Sequence, residues 1–118
     1  MKISRVAELL DADILCCHEM ADNEVNSACG SDMMSDVLAF VKDQAVLLTG
    51  LVNPQVIRTA EMMDMRCIVF VRNKQPSPAM IELAEESGIV VLASKFRMYE
   101  ACGVLYASGL NSLRQTHE

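Results

Sequence analysis

The chain has 118 residues, 52% of them hydrophobic and 22% charged, enough apolar material for one folded domain with a core and too much for a disordered tail. Sixteen acidic against ten basic side chains give a net charge of −6, which argues against a nucleic-acid binder, since such a protein needs a basic face. No apolar run reaches the roughly 18 residues of a membrane span, no signal-peptide core follows Met1, and the five cysteines, an odd number, read as reduced thiols of a cytoplasmic protein.

In chain order, Ser4 caps a short helix to Leu10 with Val6, Leu9 and Leu10 on one face. Ile14–Cys17 reads as a strand, His18–Asn23 as a turn and Glu24–Cys29 as extended chain. Ser31 or Asp32 caps the next helix, whose spacing puts Met33, Met34, Val37, Leu38 and Val41 inward. Ala45–Thr49 is a continuous apolar strand of the kind buried on both faces of a parallel sheet. Asn53 as N-cap and Pro54 at the first helical position open a helix with Val56, Ile57, Ala60 and Met63 inward. Cys67–Val71 is a second buried strand, and Asn73–Pro76 a loop. Ser77-Pro78 starts a helix with Met80, Ile81, Leu83 and Ala84 inward, ended by Gly88. Ile89–Leu92 is a third buried strand, and a last helix runs from about Lys95 to Ser108. From Ala45 onward this alternation makes two right-handed strand–helix–strand crossovers. The expected fold is α/β: a compact three-layer domain, residues 1–110, with a mainly parallel sheet flanked by helices and a flexible tail at 111–118.

Ligands of open parallel sheets sit outside the carboxyl ends of the strands. Two turns fall there, Ala28–Asp32 and Thr49–Pro54, and each offers backbone N–H groups at a helix start, a geometry suited to an anion. Gly30, Ser31, Asp32, Thr49, Gly50 and Asn53 are therefore the candidate ligand-binding residues. Asp32 and Asp36 add negative charge there, which argues against an unassisted anion site; Arg58, Arg72, Lys74 and Arg97 could offset it, although most such residues are merely solvated. No catalytic residue and no metal site stand out. The chain lacks a P-loop, a G-x-S-x-G turn and a Cys-x-x-Cys pair, and His18-Glu19 is followed at the fifth position by Asp22 rather than His. Cys16 and Cys17, as strand neighbours, point to opposite faces and cannot easily share an ion. No cofactor is implied. On the last helix, Phe96, Tyr99, Cys102, Gly103, Tyr106 and Leu110 follow one face and Met98, Ala101, Leu105 and Ser108 another. A helix apolar on two faces is central or pressed on a partner, so the first five are the candidate homodimer interface.

Several short motifs resemble the DRTGG domain family: Met1–Ser4 before a short helix, Cys29–Asp36, Leu48–Pro54, Ile68–Arg72 and Tyr99–Tyr106. The resemblance runs from about Lys2 to Leu110. The pentapeptide that names the family is absent as a run, and Leu51 stands where a second glycine would follow Thr49-Gly50. The resemblance implies a fold like the N-terminal domain of HPr kinase/phosphorylase, whose kinase activity belongs to a separate P-loop domain absent here. It also implies the regulatory or assembly role such domains have between CBS modules of some pyrophosphatases. The expectation is a non-catalytic, homodimeric regulatory or protein-interaction module, not an enzyme, with a protein partner in a metabolic or signalling complex. The alternative is a sensor of a nucleotide or other phosphate compound that uses the two turns. Neither nucleic acid nor a membrane is an expected partner.

Overall fold

A computed structural model describes residues 1–40 and 44–110. The elements are α1 (Ile3–Leu9), β1 (Asp13–Cys16), a 3-10 turn (His18–Met20), β2 (Ser27–Gly30), α2 (Met34–Phe40), β3 (Ala45–Thr49), α3 (Pro54–Met62), β4 (Cys67–Phe70), α4 (Pro78–Ser87), β5 (Val90–Ala93) and α5 (Met98–Ala107). They form an α/β fold with a five-stranded sheet of order β1-β5-β4-β3-β2. β2 to β5 are parallel neighbours, and β1 joins the β5 edge antiparallel. Because β2 pairs with β3, there are three successive crossovers rather than the two expected from Ala45 onward. Their helices pack side by side, α2 on α3 and α3 on α4. α5 returns across β2 and β3 and meets α1.

β3, β4 and β5 are buried at every position, as their unbroken apolar runs predict for strands covered on both faces. Asn53 caps α3 by accepting the Gln55 N–H at 2.8 Å, and Ser77 caps α4 by accepting that of Met80 at 3.3 Å. Gly88 ends α4 in the left-handed region, φ 70°, where glycine carries no Cβ penalty.

Other local expectations change. Ser4 does not cap α1. Lys2 holds that position, and the first turn donates instead to loop carbonyls, Ile3 N–H to Asn23 and Ser4 N–H to Ala21. In α2, Met34 and Val37 are buried, but Met33 at 60% and Leu38 at 43% exposure face outward; Val41 lies outside the described residues, as does 111–118. The apolar stripe is narrower than expected because α2 starts at Met34, which leaves Met33 in the turn before it. Ile81, Leu83 and Met63 are half-buried at the rim of the core. Cys17 lies beyond β1 with φ 58°, so strand alternation does not govern it, and its thiol comes within hydrogen-bonding reach of Cys16. No helix among the described residues is long and apolar enough to cross a membrane.

Candidate functional site

A crevice of about 460 Å³ opens beyond the carboxyl ends of the parallel strands. Gly30, Ser31 and Asp32, where β2 ends, form one side. Val71 and Arg72 follow β4, and Arg97, Met98 and Tyr99 begin α5. The backbone holds these segments together. Arg72 and Asn73 both adopt left-handed conformations, φ 58° and 56°, which non-glycine residues enter at a cost of about 1 kcal/mol or more. Their N–H groups donate to the β5–α5 loop, Arg72 to Phe96 O and Asn73 to Ser94 O, each at 2.8 Å. Arg72 is thereby tied to the residue immediately before Arg97. Ser94 fixes that loop in turn: its hydroxyl donates to Leu10 O at 2.7 Å and accepts the Phe96 N–H at 3.1 Å.

The two turns expected at the site do meet, and Asp32 joins them. Its Oδ1 accepts the Thr49 hydroxyl at 3.0 Å and the Gly50 N–H at 2.7 Å. Four further backbone donors at these turns are also engaged. Ser31 N–H donates to Leu48 O, Met33 N–H to Ser31 Oγ, Leu51 N–H to Thr49 Oγ1 and Gln55 N–H to Asn53 Oδ1. The turns' own side chains and a strand carbonyl thus take up much of the expected N–H cradle, and among the described residues the N–H groups of Asp32, Val52 and Asn53 have no partner. Of the six candidates, Gly30, Ser31 and Asp32 line the crevice; Thr49, Gly50 and Asn53 stand behind it as latch, turn and cap. The positive charge comes from Arg72 and Arg97. Among the described residues, neither guanidinium has an ion pair or a hydrogen bond. In sequence they are two cations among several; the Arg72–Phe96 and Asn73–Ser94 backbone bonds bring their segments together.

Two glycines admit this packing. A Cβ on Gly30 would stand 2.6 Å from Cys102 Sγ and 3.2 Å from Met98 Sδ, so α5 approaches β2 only because that position is bare. A Cβ on Gly50 would collide with the Arg72 guanidinium, which lies over the turn.

The DRTGG domain model matches residues 5–108. The chain belongs to the DRTGG domain family. No curated protein matches it. Among solved structures, the CBS and DRTGG domains of the regulatory region of Clostridium perfringens pyrophosphatase, complexed with the activator diadenosine tetraphosphate, share the fold at a TM-score of 0.69 and 14% identity. The match covers 88% of this chain and 45% of that one, so this DRTGG domain spans less than half of the regulatory region it resembles.

The outer side of α5 in this DRTGG domain is a broad apolar groove of about 940 Å³ that shares Met98 and Tyr99 with the crevice. Tyr99 is 89% and Tyr106 52% exposed, and a Cβ on Gly103 would meet nothing within 4 Å. Of the six residues expected on one face, Leu110 is buried beyond the helix end, and the other five divide. Tyr99, Gly103 and Tyr106 look outward, Cys102 is half-buried toward Gly30, and half-buried Phe96 precedes the helix. Ala101 and Leu105 form the inner stripe, while Ser108, expected with them, is exposed beyond the helix end.

The thiols are tuned toward the neutral form. Burial pushes Cys17 up to about 12 and raises Cys16, Cys29, Cys67 and Cys102 above the ordinary thiol value. Thiolate chemistry is suppressed at all five. Among the described residues, no three His, Cys, Asp or Glu side chains group as metal ligands.

Proposed function

We propose that this DRTGG domain is a non-catalytic regulatory module. It senses a phosphate-bearing ligand in the crevice and presents the outer face of α5 around Gly103 and Tyr106 to a second copy of the chain in the cytoplasm, passing the state of the crevice to a protein partner in a metabolic or signalling complex. One observation carries the ligand reading. Two guanidiniums without partners among the described residues line one crevice at the carboxyl end of the sheet, in a chain of net charge −6. Arginine forks suit phosphate oxygens, and the carboxyl end is where parallel sheets take ligands. The non-catalytic reading follows from the crevice's own chemistry. Asp32 is the one carboxylate among its lining residues, and its Oδ1 is committed to the Thr49 and Gly50 latch. The regulatory region of similar fold was solved with a nucleotide activator, which is in keeping with a sensing role.

Thermal unfolding with inorganic pyrophosphate tests the ligand reading. A ligand at about 100 times its dissociation constant adds about 2.7 kcal/mol, roughly a 10 °C rise in Tm for a chain of this size. Arg72→Gln and Arg97→Gln should each shrink the rise. A midpoint unmoved by millimolar pyrophosphate removes the ligand reading. Light scattering tests the pairing: a monomer at tens of micromolar removes it.

A further inference from the structure

The crevice carries three chemistries, and together they specify more than an anion. Resting on the anion-site reading above, we infer that its ligand is a nucleotide. The phosphates lie against Arg72 and Arg97, a ribose hydroxyl donates to the carboxylate of Asp32, and the base stacks on the ring of Tyr99.

Inorganic phosphate would satisfy the guanidiniums and leave the rest of about 460 Å³ to water against Val71, Met98 and Tyr99. A sugar phosphate would also reach Asp32, whose Oδ1 is taken by Thr49 and Gly50 and whose other oxygen has no partner among the described residues. An acceptor carboxylate beside a phosphate site is how α/β folds hold ribose hydroxyls. Of these three, only a nucleotide adds a flat apolar part for the remaining side. Tyr99 is 89% exposed beside Arg97, so both ring faces are open. Base stacking on such a ring is sequence-tolerant and strengthens binding from several-fold to about a hundredfold. The volume falls within the roughly 300–1,000 Å³ range of small-ligand sites.

Calorimetric titration of the whole chain with ADP, ribose 5-phosphate and pyrophosphate, each without metal, tests the assignment. ADP should bind about tenfold or more tightly than either of the others. Tyr99→Ala, at so exposed a position, should leave Tm unchanged, weaken ADP about tenfold and leave pyrophosphate as it was. Tyr99→Phe should restore ADP binding. Tyr106→Ala, on the same helix but outside the crevice, should leave ADP affinity intact even if it alters self-association, which separates stacking from pairing. If pyrophosphate or ribose 5-phosphate binds as tightly as ADP, or Tyr99→Ala leaves ADP binding unchanged, the nucleotide assignment is overturned and the anion site stands. If none of the three binds, the anion site itself falls.

Discussion

Gly30→Ala measures how closely α5 is seated on β2. The added methyl would lie 2.6 Å from Cys102 Sγ and 3.2 Å from Met98 Sδ, against the roughly 3.5–4.0 Å at which non-bonded atoms rest. Met98 is long, half-exposed and able to swing away. Cys102 has one side-chain torsion and sits on a helix anchored by buried Ala101 and Leu105, so it yields only if its rotamer changes or the helix start lifts. Overpacking of this kind costs about 1–3 kcal/mol. Replacing a strand glycine returns about 0.5–1 kcal/mol of backbone entropy. The net expectation is a loss of about 1–2 kcal/mol, roughly 4–8 °C in Tm for a chain of this length. Urea unfolding followed by circular dichroism reads it. Repeating the substitution in a Cys102→Ala background completes a double-mutant cycle, and there the loss should nearly vanish because the nearest atom is gone. Equal losses with and without the Cys102 thiol would refute the seating of α5 described above.

At Gly50 the same change has another signature. Its methyl meets the far end of the flexible Arg72 side chain, so Gly50→Ala should alter stability by less than about 0.5 kcal/mol yet weaken pyrophosphate binding in calorimetry. A loss of stability without a loss of affinity would contradict the placement of Arg72. Asp32→Asn keeps an acceptor for Thr49 and Gly50 but removes the negative charge beside the arginines. Pyrophosphate affinity should rise severalfold at low salt, while chemical denaturation shows a loss of about 1 kcal/mol from the weakened latch; unchanged affinity would detach Asp32 from the anion site. The raised thiols also set a pH dependence. The unfolded chain ionises its cysteines from about pH 8.5, whereas folded Cys17 holds its proton to about 12 and Cys67 is raised as well. Their contribution to stability is complete below the unfolded value and is lost as pH rises toward the folded one, by about 1.4 kcal/mol per pH unit for each thiol still protonated in the folded chain alone. Urea midpoints should therefore fall between pH 8 and 10, and Cys67→Ala should flatten that fall; equal slopes would place Cys67 outside the core.

The parallel sheet is legible in the sequence because β3, β4 and β5 are unbroken apolar runs with turn residues at their ends, a pattern that only burial on both faces explains. The Asn53 and Ser77 caps are equally plain, since each acts within three residues of itself. The site was legible by half. Position at the carboxyl ends locates Gly30–Asp32, but several donors of the two turns are taken by Asp32 across the turns, by side chains of the same turn or by the Leu48 carbonyl, a pairing that no local pattern contains. Arg72 and Arg97 meet through a backbone bond to Phe96, between residues 24 positions apart. The left-handed conformations at Arg72 and Asn73 that create it have no glycine to announce them. The outward turn of Met33 follows from where α2 begins, and spacing alone does not set that boundary.

The pairing of β1 with β5 joins Asp13 to Ala93, and the Ser94 hydroxyl reaches Leu10 across 84 positions of chain. By contrast β3, β4 and β5 are each laid beside the strand that precedes them. Assembly therefore has two tempos: the parallel layers close short loops, while the α1–β1 arm and the β5–α5 return must wait for the longest one. The crevice takes its third side from that late seam. Occupancy by a ligand that touches both Arg72 and Arg97 would brace the seam against local opening, and amide exchange in β1 and α5 should slow more than exchange in β3 and β4 when it is filled. In such a domain the signal passed onward is the persistence of a closure, with no change of shape required.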